Sequence, residues 1–139
     1  MALTDELRAE IAAGRAELRV AIEGSADRWE LAPGDAEWSP RQIAEHAIRA
    51  DVSFARYAAG AVGLPGADEP REELSLPGNS DALAAIERAM GVADPVWAAV
   101  QDGQLALPAP PMDRVEDVMR TAGSHLRDHA RQIVGAQSS

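Results

Sequence analysis

The sequence predicts an all-α fold, a four-helix bundle, on three observations. Four stretches space their apolar residues three and four apart, no stretch alternates apolar and polar residues as a half-buried strand does, and no segment repeats. A long segment between the second and third helices sets the expected topology as up-down-down-up. Antiparallel neighbours need only a few linking residues, whereas about twenty can carry the chain back along a whole helix. At 139 residues the chain reads as one domain, 1–139, long enough to bury its own core.

The first helix is expected from Thr4, as N-cap, to about Glu23, with Asp5 and Glu6 where the helix dipole favours acid. Leu7, Ile11, Gly14, Leu18 and Ile22 form its buried stripe, and Gly14 there permits close approach of a neighbouring helix. Pro33-Gly34 marks a turn, with Trp29 and Trp38 on either side placed to pin it to the bundle. The second helix has the clearest start: Ser39 as N-cap, Pro40 at the first helical position and Gln42 as capping-box partner. Its stripe runs Ile43, Ala47, Ala50, Phe54, Tyr57 and Ala61, and His46 lies one turn from Ile43 and from Ala50, so it points to the core or its rim.

Gly60 to Ser80, rich in glycine and proline, reads as the helix 2 to helix 3 crossover. Ser80 is the expected cap of a third helix bearing Leu83, Ile86, Met90, Ala93, Trp97 and Val100, which Pro95 should kink or split near Asp94. A proline-rich loop, Gly103 to Pro111, precedes a last helix with Asp113 as N-cap and Glu116 as its capping-box partner. That helix carries Val115, Val118, Met119, Ala122, Leu126, His129 and Ile133 as its apolar stripe, with His125 beside it.

Composition excludes several chemistries. The chain has no cysteine, hence no thiol nucleophile, redox pair or thiolate ligand of its own; any sulfur must come from outside. Its basic residues are all arginine, which removes lysine as Schiff base or general base. A formal net charge of −10 repels nucleic acid and anionic membrane surfaces, so neither is an expected partner. No run approaches the roughly 20 apolar residues of a membrane span, and MALTDELRAE lacks the basic start of a signal peptide; the expectation is a cytoplasmic protein.

All three histidines of the chain fall on predicted helices at core-facing or core-edge positions. His125 and His129 are four apart, the spacing that puts two imidazoles on one helix face within reach of one ion. Such a pair also occurs as ordinary hydrogen-bonded side chains. What favours metal is that a bundle can bring His46 across to the pair, and bundle interiors are where facing helices build metal sites. His46, His125 and His129 are therefore the candidate ligands. Three neutral imidazoles leave coordination positions open for water or substrate, as in histidine-only catalytic zinc sites; nickel, iron and manganese are also compatible. Around them, Thr121, Gln132, Gln42, Arg49 and Ser53 sit one turn away. Gln132 reads as a polar residue at the rim rather than a ligand-orienting group. Arg49 either meets an anionic substrate or pairs with Asp128 or Glu45. Asp51 and Asp128 are candidate partners for the outer ring nitrogens.

The stretch WSPRQIAEH, from Trp38 to His46, followed much later by HLRDHARQI, from His125 to Ile133, resembles the DinB-like superfamily. The resemblance runs from about Leu3 to Gly135. It implies an up-down-down-up bundle holding a divalent metal, zinc foremost, through one histidine of helix two and two of helix four, here His46, His125 and His129. It also implies a metal-dependent hydrolase or thiol S-transferase acting on small molecules, with a low-molecular-weight thiol such as bacillithiol, glutathione or mycothiol as cosubstrate; some relatives isomerise maleylpyruvate with mycothiol. Homodimers are common in that family. The alternative is a non-catalytic stress-response or binding module whose metal, if any, is structural, and it predicts no substrate-sized pocket at the histidines. A DNA-acting role, suggested by the family's name, conflicts with the charge.

Overall fold

The computed structural model describes residues 2–70 and 72–135. Four helices make up the frame: α1 (Leu3–Glu23), α2 (Pro40–Val62), α3 (Asn79–Ala99) and α4 (Val115–Gly135). Around the bundle, α1 packs on α4, α4 on α2, α2 on α3, and α3 back on α1. Gly123 of α4 lies against Glu10 of α1, and Arg127, one turn on, lies against Gly14, so those two helices run parallel. Arg8 bonds the Trp97 carbonyl and Asn79 the Ile22 carbonyl, so α3 runs against α1. With α2 antiparallel to α4, the topology is up-down-down-up, and the 63–78 connection returns the chain along the bundle. Gly63 ends α2 at φ +76°, a left-handed conformation that suits glycine, and Leu76 of the connection is fully buried. Among the described residues, no helix is long and apolar enough to cross a membrane.

α1 and α4 approach closely where the sequence places Gly14. A Cβ on Gly14 would lie 2.7 Å from the Gly123 carbonyl oxygen and 3.1 Å from Leu126 Cβ, so α1 and α4 meet backbone to backbone. Buried apolar residues from all four helices, Ile11, Ile22, Ile43, Ile86, Met119 and Leu126 among them, form one core. Through it runs a polar link: Arg15 pairs with Asp51 at 3.0 Å and Asp94 at 2.7 Å, joining α1, α2 and α3, with Arg15 and Asp51 both almost fully buried.

The structure corrects several expected helix ends. Thr4 is not the cap of α1: the helix begins at Leu3, and the carboxylate of Asp102, from the α3–α4 loop, accepts the Thr4 N–H at 3.0 Å. Ser80 lies inside α3, whose N-cap is Gly78; Asp81 reaches back to the Gly78 N–H. Asp113 does not cap α4 but sits in a two-stranded antiparallel ribbon, β1 (Pro108–Ala109) with β2 (Met112–Arg114), which was not expected. The first amides of α4 donate to the carbonyls of Leu107 and Leu105, and Asp117 accepts from Arg114 N–H. In each case tertiary structure or a neighbouring acid satisfies donors that the sequence reading gave to a local hydroxyl or carboxylate. Pro95 does not split α3, which is helical throughout. Pro95 and Gly91, whose carbonyl it leaves unpaired, are both exposed, so water can satisfy that group.

Two stripes also shift. On α2 the core face is Ile43, Ala44, Ala47, Ile48, Asp51, Ala55 and Ala58, whereas Ala50, Phe54 and Tyr57 are only half buried. A three-to-four spacing fits two adjacent stripes on a long helix, and the large side chains drew the reading to the wrong one. On α4 the buried position is Ala130, not His129. Of the two tryptophans, only Trp29 pins its turn: it is buried and donates its indole N–H to the Leu76 carbonyl at 2.9 Å. Trp38 is exposed by 43%.

Candidate metal centre

The Ser39 capping box, present as predicted, fixes the start of α2 and with it the height of His46, two turns in. The antiparallel packing of α2 on α4 then sets His46 opposite His125 and His129. All three imidazoles meet: their ligand atoms lie within 4.8 Å of one another, His46 exposed and the other two half buried. His125 Nε2 is the middle atom, 3.2 Å from His46 Nε2 and 3.0 Å from His129 Nε2. Three nitrogens bound to one tetrahedral ion at 2.0–2.1 Å would stand about 3.3 Å apart.

A hydrogen bond from outside the triad sets the tautomer of one of the three rings. Gln132 Oε1 accepts a hydrogen bond from His129 Nδ1–H at 2.8 Å, and the tautomer with its proton on Nδ1 has its lone pair on Nε2, 3.0 Å from His125 Nε2. Gln132 is thus both exposed, as the rim reading had it, and the group that orients His129, a role that reading set aside. Burial, and then the charges of His129 and His46, push the His125 pKa down to about 4, against a small upward pull from Asp128. His46 is lowered too, by burial first and then by His129. Both rings are therefore neutral at pH 7, the form in which imidazole binds metal.

The proposed carboxylate partners fail. Asp51 is committed to Arg15 in the core, where burial raises its pKa against the pull of that guanidinium. Asp128 makes no hydrogen bond to any ring among the described residues. Nor does Arg49 pair with Glu45, which holds Arg41 at 3.3 Å, or with Asp128.

Two clefts open onto the triad. One, of about 500 Å³, is walled by Gln42, Arg49, Ser53, Phe54 and Tyr57 and reaches His46 and His125. The other, of about 530 Å³, is walled by Pro33, Glu37 and Gln132 and reaches His46 and His129. Trp38 and His46 belong to both, and the Trp38 ring stands edge-on to His46 at 5.4 Å. Phe54 packs edge-on against His125 at 5.5 Å. Thr121 lines neither cleft. The roles of Trp38, Phe54 and Tyr57 were missed; the signal for Phe54 and Tyr57 is spacing, since they lie eight and eleven residues from His46 on the same helix, about two and three turns away. In comparisons with known proteins, the chain matches no family model, no curated protein and no solved structure.

Proposed function

We propose that the protein is a DinB-like metal-dependent enzyme acting on small molecules, a thiol S-transferase or, with water in place of the thiol, a hydrolase. His46, His125 and His129 would hold one divalent ion. The observation that carries this reading is the convergence of three imidazole Nε2 atoms from two helices, with neighbouring separations of 3.0 and 3.2 Å. Three neutral nitrogens with positions left open suit zinc best; nickel, iron and manganese also accept imidazole. Such an ion supplies Lewis acidity, bringing the pKa of a coordinated thiol or water toward neutrality.

The chain's own residues do the rest. His46 and His125, neutral at pH 7, present lone pairs without first losing a proton. Gln132 holds the His129 ring in its orientation. Phe54 and Trp38 stand edge-on beside the His125 and His46 rings and give the cleft apolar surface there. Two clefts meeting at His46 favour the transferase version, since thiol and electrophile can approach from opposite sides, and a chain without cysteine must receive its sulfur on a cosubstrate. A cleft of this size at the histidines counts against the non-catalytic module.

The test is metal analysis of the purified protein, then cobalt substitution and titration with glutathione, bacillithiol and mycothiol. One equivalent of ion and a thiol-dependent change in the cobalt spectrum are expected. A stoichiometric ion whose spectrum ignores every thiol would sink the transferase version, and failure to bind any divalent ion would sink both.

A further inference from the structure

Arginine is abundant here and almost always engaged. Arg8, Arg15, Arg19, Arg41, Arg88 and Arg127 each meet at least one carboxylate, as expected in a chain with 23 acidic residues against 13 basic ones. Arg49 is different. It lines the cleft on the His125 side, yet it makes no ion pair and no hydrogen bond with any described residue. The one carboxylate in the same wall, Glu45, is occupied by Arg41.

Its neighbours on α2 extend the pattern. His46, Arg49, Ser53 and Tyr57 follow at steps of three and four residues, so they form a ladder along one cleft wall with rungs about 4.5–6 Å apart. Ser53 is 8% exposed, its hydroxyl has no hydrogen-bond partner among the described residues, and it is not among the polar atoms sealed from solvent. A guanidinium one turn from a cation site repels the cation, unless an anion lies between them. The second cleft has Glu37 in its wall and no arginine, so an anion would partition to the Arg49 side.

We infer that the Arg49 cleft recognises a small acid: a flat apolar body lies against Ala50, Phe54 and Trp38, and its carboxylate or phosphate is gripped by Arg49 with the Ser53 and Tyr57 hydroxyls. The anionic group then sits about one helical turn, roughly 5 Å, from the atom that reacts at the triad. A guanidinium matches either anion with two parallel hydrogen bonds. Arg49 is on this account the specificity-determining residue. The inference rests on the triad being the reacting centre, but the anion grip itself needs no metal.

Benzoate, phenyl phosphate and the neutral isostere benzamide would be titrated into metal-free and zinc-loaded protein, following the Trp38 indole signal by NMR. At least one anion should bind about tenfold or more tightly than benzamide, the two anions separating carboxylate from phosphate recognition. In Arg49→Gln that preference should fall to within about twofold with the melting temperature and metal content unchanged, and Arg49→Lys should restore part of it. Benzamide binding as tightly as both anions, a preference that survives Arg49→Gln, or no binding of any probe at millimolar concentration would overturn the inference. Metal uptake without anion preference leaves the proposed function standing and removes this inference; Arg49-dependent anion binding in a protein that takes up no metal does the reverse.

Discussion

The bundle contains two clusters of polar side chains drawn from different helices, and they are built on opposite principles. In the Arg15–Asp51–Asp94 cluster, a guanidinium faces two carboxylates at 2.7–3.2 Å, and Arg15 and Asp51 are almost wholly out of water. Donors and acceptors match, and the second carboxylate, Asp94, is half exposed to water. In the histidine triad, three nitrogens of like kind crowd one point, half exposed, between two open clefts. The first cluster completes itself; the second is completed only by something added. Internal satisfaction marks a polar group that serves the fold, and its absence at an accessible place marks one that serves a ligand.

The largest effect that separates the two is loss of the ligand without loss of the fold. His125→Ala removes the central nitrogen and should abolish stoichiometric binding of zinc by calorimetry, while the metal-free protein melts within a few degrees of the parent. A large fall in melting temperature with metal binding intact would exchange the roles of the two clusters. Arg15→Met should do the opposite. It strands the Asp51 carboxylate in the core, at a cost of about 3–5 kcal/mol by denaturant titration, and leaves zinc affinity nearly unchanged. Replacing both partners, as Arg15→Met with Asp51→Leu, should recover much of that loss, because a buried ion pair is close in stability to a well-packed apolar pair.

The frame shared by both clusters depends on Gly14. An alanine there puts its Cβ 2.7 Å from a backbone oxygen of α4, which must move. Gly14→Ala should therefore destabilise by about 1–3 kcal/mol, although alanine in an exposed helix interior would gain about 1. A stabilised Gly14→Ala protein would show that α1 and α4 are not in backbone contact. Smaller still, Gln132→Leu frees the His129 ring and should weaken zinc binding about tenfold without changing stability.

Most of this frame and all of the triad were legible in the sequence, for physical reasons. Ser39-Pro40 and Gln42 act within one turn of chain, so the start of α2 and the height of His46 could be read locally. Gly14 could be read because a side-chain-free position on an apolar stripe has few other uses. What could not be read involves partners far apart in sequence. Asp102 serves Thr4 across 98 residues, and the carbonyls of Leu105 and Leu107 replace the expected cap of α4. Arg15 and Asp51 look like surface residues until α1 and α2, both packed against α3, close over them. Gln132 lies within reach of local reasoning, three residues from His129, because an exposed position at the rim is compatible with a side chain that turns back to orient a ring.

Acid titration offers the last comparison of the two clusters, with the smallest expected effect. His125 has its pKa pushed from 6.5 to about 4 in the folded chain, mainly by burial. Between those values the unfolded chain carries more protons than the folded one, so stability rises with pH there, and lowering the pH from 6.5 toward 4 destabilises the metal-free protein. Asp51 works in the other direction: its folded pKa is raised above 3.8, so the folded form binds the proton more readily and acid favours it near that value. The melting temperature of the metal-free protein should thus fall as pH drops below 6.5, modestly, since His125 is about half solvated and water screens its neighbours. The slope should flatten in His125→Gln and persist in Asp51→Asn. A slope unchanged by His125→Gln would mean that the ring is already free to take a proton in the folded chain, and that the triad is not held in the neutral form that metal capture at mild acidity requires.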